Sequence, residues 1–170
     1  MSTCQELLQQ LTTGTRDELL ARLYGDVPAA RERIARLLEA FDAAFPGHTD
    51  AALFSGPGRT ELGGNHTDHQ HGHVLCASVD LDILCCAAPN GSDTIRFHSA
   101  GYPPLTMDLE DLSPRSAERG TTAALLRGVC DGVRRQGYPL RGFDACAVST
   151  VLPGPRQPRC PRPRHPPCRR

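Results

Sequence analysis

Residues 74–88, Val-Leu-Cys-Ala-Ser-Val-Asp-Leu-Asp-Ile-Leu-Cys-Cys-Ala-Ala, run almost without a break through apolar and β-permissive side chains. A run of this kind reads as a strand, or a pair of strands, buried in part on both faces. The stretch just before it has the opposite character. Residues 55–73 hold five of the sixteen glycines and four of the seven histidines, together with Arg59, Glu61, Asn65 and Asp68. Glycine lets a backbone turn tightly and approach a ligand closely. A polar glycine turn feeding a buried strand therefore presents converging polar groups on a fixed base.

The remaining elements follow from periodicity. Leu7, Leu8 and Leu11, then Leu19, Leu20 and Leu23, predict helix over 3–24, broken by Thr12-Thr13-Gly14-Thr15. Thr15 with Glu18 fits a capping box for the second piece. A third helix starts at Pro28, where a missing N–H costs little, and runs to about Ala44 with Ile34, Leu37, Leu38 and Phe41 on one face. Ala51–Ser55 is a short strand that delivers the chain to the glycine loop. Asn90-Gly91 is a turn signal, so 74–88 and Thr94–His98 are expected to pair as a hairpin. An edge strand at Leu105–Leu109, a helix over 117–136 ended by Gly137-Tyr138-Pro139, and a last strand at Phe143–Leu152 complete the series. Strands followed by helix and strand make an α+β pattern. The expected division is a helical segment over 1–50, an α+β domain over 51–152 and a tail over 153–170.

Composition narrows the function classes. The chain has 170 residues and a formal net charge of zero, with nineteen arginines and no lysine. The last eighteen residues carry six arginines, seven prolines and no acid, which leaves 13 arginines against 19 acids in residues 1–152. A mildly acidic body gives no reason to expect nucleic acid as a partner. No apolar run approaches the roughly 18 residues that cross a membrane, and Met1–Gln10 lacks the pattern of a secretory signal. A cytoplasmic, monomeric protein with reduced thiols is expected. Cys85 and Cys86, inside the apolar run, read as small buried residues. Proline at the density of the tail forms neither helix nor central strand, so 153–170 reads as disordered. In a GC-rich gene an out-of-frame reading yields mostly Pro, Arg, Ala and Gly. A frameshift near codon 154 is the expectation, and resequencing the locus checks it.

Three readings of the loop are open on residue types alone. It can be a polar turn with no ligand. It can bind a hydroxylated small molecule: Arg59 is a permanent cation, Asp68 accepts, and Asn65 and His66 both donate and accept. It can bind a metal ion, since His66, Asp68, His69, His71 and His73 include His-x-His and His-x-x-His spacings. The glycines between those histidines argue against a rigid ligand set.

Gly58-Arg59-Thr60-Glu61-Leu62-Gly63-Gly64-Asn65-His66-Thr67-Asp68-His69, closed by Gly72 and preceded by Pro57, resembles the galactokinase signature of the GHMP small-molecule kinases. That signature runs Gly-Arg-x-Asn-x-x-Gly-Glu-His-x-Asp-Tyr. Asn65 stands where the family has glutamate, His69 where it has tyrosine, and Glu61 where it has asparagine. The resemblance implies the N-terminal part of a GHMP-kinase fold, incomplete, with a mixed sheet and packed helices. It implies transfer of the ATP γ-phosphoryl, with Mg²⁺, to the anomeric hydroxyl of galactose. It assigns Arg59 as the active-site arginine, and Asn65, His66 and Asp68 as contacts to sugar hydroxyls. It also implies a serine-rich phosphate loop that should begin at Pro153-Gly154, and a later aspartate. No serine follows Thr150 and no acid follows Asp144, so an inactive fragment of a galactokinase is expected. The alternatives are an inactive sugar-binding or regulatory protein, and a histidine-rich metal-binding domain.

Overall fold

The computed structural model describes residues 2–64 and 71–151. Three helices come first: α1 (Cys4–Thr12), α2 (Asp17–Tyr24) and α3 (Val27–Ala44). The break between α1 and α2 lies where the threonine cluster puts it, with Gly14 at φ +74°. The capping box expected from Thr15 and Glu18 does not form. The cap of α2 is Arg16, without a side-chain bond, because the Thr15 hydroxyl is taken by that of Thr13 at 2.9 Å. A capping box heads α1 instead: Glu6 N–H donates to Thr3 Oγ1 at 3.1 Å and Thr3 N–H to Glu6 Oε2 at 2.9 Å. Helix α3 opens on Asp26, which accepts from Ala29 N–H, with Pro28 in its first turn. Its buried stripe is Ala30, Ile34, Leu37, Leu38 and Phe41. Leu37, Leu38 and Phe41 are wholly enclosed, and each such side chain contributes about 1.5–3 kcal/mol.

The strands are β1 (Ala52–Gly63), β2 (Leu75–Pro89), β3 (Thr94–Ser99), β4 (Leu105–Asp108) and β5 (Phe143–Ser149), with α4 (Thr122–Arg135) between β4 and β5. They form one mixed sheet in the order β1-β2-β5-β3-β4, antiparallel except for the β5–β3 pair. The α+β class and mixed sheet are as the sequence leads one to expect. Two local expectations are corrected. The run 74–88 forms one strand, as one of the two readings allowed, but it does not pair with β3. Strand β5 enters between them, with Ile83 to Pro89 opposite Ser149 to Phe143, and Arg96 to Ser99 beside Asp144 to Ala147. The Asn90-Gly91 turn is present, with Gly91 at φ +70°. It stays open because its edges bond to the incoming strand: Gly142 N–H donates to Ser92 O at 2.7 Å, and Asn90 N–H to Gly142 O at 3.3 Å. The hairpin partner of β2 is β1, which does not stop at Ser55 but continues through the first residues of the glycine stretch to Gly63.

Alternation assigns the two faces of the sheet. Leu84, Cys86, Ala88 and Cys146 face α1–α3 and share one core with Leu11, Leu20, Ile34, Leu37, Leu38, Phe41 and Phe45. On the other face, Ile95 and Met107 pack with Leu109, Leu112 and Cys130, next to Phe97, Leu126 and Phe143. There α4 covers only the β3–β4 end. Phe54, Leu81 and Ile83, on β1 and β2, stay exposed.

Candidate functional site

The site is built where the β1–β2 hairpin leaves the sheet. Strand β1 changes register between Pro57 and Arg59: Pro57 lies opposite Asp82, but Arg59 opposite Ser78. Bulges of this kind re-aim a side chain. Gly58 sits in the bulge. A methyl group there would lie 3.0 Å from Val79 Cγ2, 3.1 Å from Val151 Cγ2 and 3.2 Å from Leu81 O. Glycine lets β1 lie this close to both β2 and the residues that follow β5 without displacing the Val79 and Val151 side chains. Arg59 comes next. Its side chain is 76% exposed and lies 4.0 Å from Glu61 Oε1, two residues along the same strand face. The hairpin narrows toward its end, where Gly63 is opposite Leu75. Gly64 takes φ +78°, and a Cβ on it would fall 2.0 Å from His73 O. The backbones on either side of the turn therefore meet at a position closed to any other residue.

Arg59 is thus the one sequence-predicted site residue that the structure describes. Asn65, His66 and Asp68 lie outside the described residues, as does the tail over 153–170. Of the histidines considered for a metal, His71 and His73 are exposed and described, with His71 at φ +61°. His66 and His69 fall outside. Among the described residues, no group of three or more His, Cys, Asp or Glu can hold a metal ion.

Sequence reasoning missed what lies beneath the hairpin. A cavity of about 460 Å³ opens beside Pro57, lined by Tyr24, Arg33, Ser55, Asp82 and Thr150 among others. This lies within the ~300–1,000 Å³ range of small-molecule pockets. Asp82 is buried and organises its wall. Its Oδ2 accepts from Ser55 Oγ at 2.6 Å and Tyr24 Oη at 3.0 Å. Its Oδ1 accepts no hydrogen bond of good angle; the Arg33 guanidinium, 2.6 Å away, holds it by charge. Thr150 Oγ1 accepts from Asp82 N–H at 3.0 Å and donates to Asp82 O at 3.1 Å. Burial alone would push the Asp82 carboxyl up. The Ser55 hydroxyl, the Arg33 guanidinium and the Tyr24 hydroxyl outweigh it and hold the group below the ordinary carboxylate value. The Asp82 side chain thus ties α2 and α3 to β1 and β2, and its backbone holds Thr150 just beyond β5.

A second buried carboxylate pins the opposite end of the sheet. Asp144 is wholly enclosed. Its oxygens meet His48 Nε2 at 2.8 Å, Asn90 Nδ2 at 2.8 Å and Arg96 Nε at 2.7 Å, with Arg96 Nη2 closing a bidentate pair. Burial raises this carboxyl too, and Arg96, Asn90 and His48 together bring it below its ordinary value.

Comparison with known proteins assigns this arrangement. The galactokinase galactose-binding signature matches residues 39–89. It runs from the last turn of α3 through β1 and the hairpin turn to the last residue of β2. The galactokinase of Lactiplantibacillus plantarum is 33% identical over 112 residues, covering 64% of this chain and 28% of that protein. The galactokinase of Streptococcus suis is 34% identical over 106 residues, covering 61% and 26%. The galactokinase of Streptomyces coelicolor is 31% identical over 104 residues, covering 60% and 26%. The chain therefore spans between a quarter and a third of the length of these relatives. Among solved structures, Lactococcus lactis galactokinase complexed with galactose superposes with a TM-score of 0.60 at 23% identity, over 67% of this chain and 30% of that one. The fold is that of the GHMP small-molecule kinases. In sequence the chain is similar to galactokinases, and residues 39–89 match their galactose-binding signature.

Proposed function

We propose that this chain is the sugar-recognition part of a galactokinase, whose reaction is transfer of the ATP γ-phosphoryl to the anomeric hydroxyl of galactose. The observation that carries the reading is the coincidence of the galactose-binding signature with the β1–β2 hairpin, whose bulge at Gly58 is packed against Val151. In this reading the hairpin presents the sugar, and the contact of its bulge with Val151 fixes where β5 leaves the sheet beside it.

Arg59 stands exposed at the bulge, where a permanent cation offsets the negative charge that develops as a hydroxyl attacks phosphorus. Asn65, His66 and Asp68 contact the sugar hydroxyls. Their discrimination rests on an asymmetry: a matched hydroxyl contributes about 1 kcal/mol, whereas a mismatched epimer leaves a buried polar group unpaired at about 1–3 kcal/mol. Asn65 makes its contact without charge. ATP with Mg²⁺ would supply the phosphoryl group and its charge neutralisation. The described residues form no group able to hold the metal, and neither serine after Thr150 nor acid after Asp144 is present to cradle phosphate or meet the nucleophile. In this reading the chain's contribution to the reaction is to bind galactose.

A coupled kinase assay with galactose, ATP and Mg²⁺, run beside a thermal melt with and without galactose, tests this. A galactose-dependent rise in melting temperature without ADP release is expected. ADP release by the chain itself would show that it holds a phosphate site, and a melt insensitive to galactose would remove the sugar-binding reading.

A further inference from the structure

Strand β1 is held least by its own ladder at the point where the hairpin is aimed. Pro57 lies opposite Asp82 but has no N–H to donate to β2. Gly58 follows, with the widest backbone freedom of any residue type. It stands alone against Val79, Asp80 and Leu81, because Pro57 pairs with Asp82 and Arg59 with Ser78. Arg59 and Glu61 come directly after this weak point, and Asn65, His66 and Asp68 follow Gly64 in sequence. Side-chain bonds stand in for the missing ladder. Ser55 Oγ donates to Asp82 Oδ2 at 2.6 Å and anchors β1 two residues before the proline. On the other side of β2, the last ladder pair with β5 is Ile83 with Ser149. Thr150 prolongs that contact. Its N–H and its Oγ1 donate to Asp82 O at 3.0 and 3.1 Å, and Asp82 N–H donates to its Oγ1 at 3.0 Å. The next residue, Val151, is thereby brought against Gly58, where an added methyl group would lie 3.1 Å from Val151 Cγ2. Asp82 thus receives β1 through its carboxylate and the exit of β5 through its main chain. Tyr24 Oη at 3.0 Å and Arg33 Nη1 at 2.6 Å fix that carboxylate from α2 and α3.

We propose that Thr150 and Ser55, joined through Asp82, are positioning residues for sugar recognition. They act through the backbone of β1 rather than by touching the sugar. Thr150 seats Val151 against Gly58, and Ser55 anchors the strand leading into Pro57. Together they set the direction in which the hairpin carries Arg59 and the residues beyond Gly64. Thr150 lies outside the residues that match the galactose-binding signature, so its part in recognition comes from the fold alone. A hairpin released from either anchor still folds but spends part of its time misdirected. The apparent affinity then falls by the fraction of time lost, while the number of sites stays the same. The inference rests on the sugar-binding reading, and its test separates the two.

The test is equilibrium titration of the full chain with galactose, read as affinity and as sites per chain. The parent is compared with Thr150→Val, Thr150→Ser, Ser55→Ala and Asp144→Asn. Thr150→Val keeps the shape of the side chain and removes its hydroxyl. It is expected to weaken galactose binding about fivefold with the number of sites unchanged. Thr150→Ser keeps the hydroxyl and should bind as the parent does. Ser55→Ala should resemble Thr150→Val. Asp144→Asn loosens the opposite end of the sheet, where Arg96 and His48 lose their anion. It should lower the melting temperature and leave the affinity unchanged. Parent-like affinity in Thr150→Val, a Thr150→Ser variant as weak as Thr150→Val, or an equal loss in Asp144→Asn would overturn the inference and leave the sugar reading standing. A parent chain that does not bind galactose would overturn the reading and this inference with it. Should Thr150→Val fail to fold, Ser55→Ala decides, and parent-like affinity there overturns the proposal.

Discussion

Val151 lies directly against Gly58: a methyl group added to Gly58 would stand 3.1 Å from Val151 Cγ2. The bulge of β1 and the residues leaving β5 are thus in contact, though 93 positions apart in sequence. Val79 Cγ2 and Leu81 O complete the enclosure at 3.0 and 3.2 Å. Gly58→Ala must displace a side chain on each side and cannot move the backbone oxygen freely. The expected loss is about 1–3 kcal/mol, read as a lower urea midpoint with unchanged slope. A midpoint equal to that of the parent would mean this contact is looser than described.

Gly64 faces a different constraint. Its positive φ and the 2.0 Å approach to His73 O leave no room for a side chain. Gly64→Ala should reduce galactose binding while leaving the far-UV spectrum of the helices and the central sheet unchanged. The comparison of affinity and spectrum checks this. Equal affinity in the two proteins would separate the hairpin turn from sugar recognition.

Asp82 is expected to be the costliest single polar position near the hairpin. Asp82→Ala removes the partner of Arg33 and the acceptor of Ser55 and Tyr24 together. Breaking a buried pair by removing one member costs about 3–5 kcal/mol. Arg33 keeps some exposure, so the lower end is expected by urea unfolding. Asp82→Asn should cost less, because an amide still accepts from Ser55 or Tyr24. Equal losses for the two variants would show that charge alone holds the site.

Acid sensitivity follows from the two buried carboxylates. Asp82 and Asp144 are both held below the ordinary value in the folded chain. A carboxyl depressed in the folded state binds fewer protons there than when unfolded. Its contribution is therefore complete above the unfolded pKa of about 3.9 and is lost as pH falls through the folded value. Stability should be nearly level from pH 7 to about pH 5 and decline below about pH 4. Asp144→Asn, less stable at neutral pH because Arg96 and His48 lose their anion, should show a shallower decline. A parent protein whose urea midpoint is unchanged down to pH 3 would contradict this.

Legibility in the sequence was uneven, for physical reasons. Helix α3 and its stripe, from Ile34 to Phe41, were plain because 3.6-residue periodicity is a local signal. The break between α1 and α2 was plain because Gly14 and the threonines act locally. Strand order was not. Asn90-Gly91 is a valid turn, but the insertion of β5 between β2 and β3 depends on Gly142 and Asp144, some fifty residues away. The reach of β1 to Gly63 was hidden because Gly56, Gly58, Gly63 and Gly64 mimic a loop. They are strand residues that allow close packing on β2, or the turn beyond it. The motif singled out Arg59, and the structure places its side chain exposed beside the bulge. Asp82 and its partners from α2, α3 and β5 were not, since nothing local links Tyr24, Arg33, Ser55 and Thr150 before the chain folds.

The most direct test of the central claim is equilibrium titration of the purified chain with galactose, repeated with glucose and with the Arg59→Ala and Asp68→Ala variants. Saturable galactose binding, weaker for glucose and lost or strongly reduced in Asp68→Ala, is the predicted result, with Arg59→Ala retaining most of the affinity because the proposed role of its charge is at the reacting hydroxyl. Binding that is absent, or equal for both sugars and indifferent to Asp68, would contradict the account.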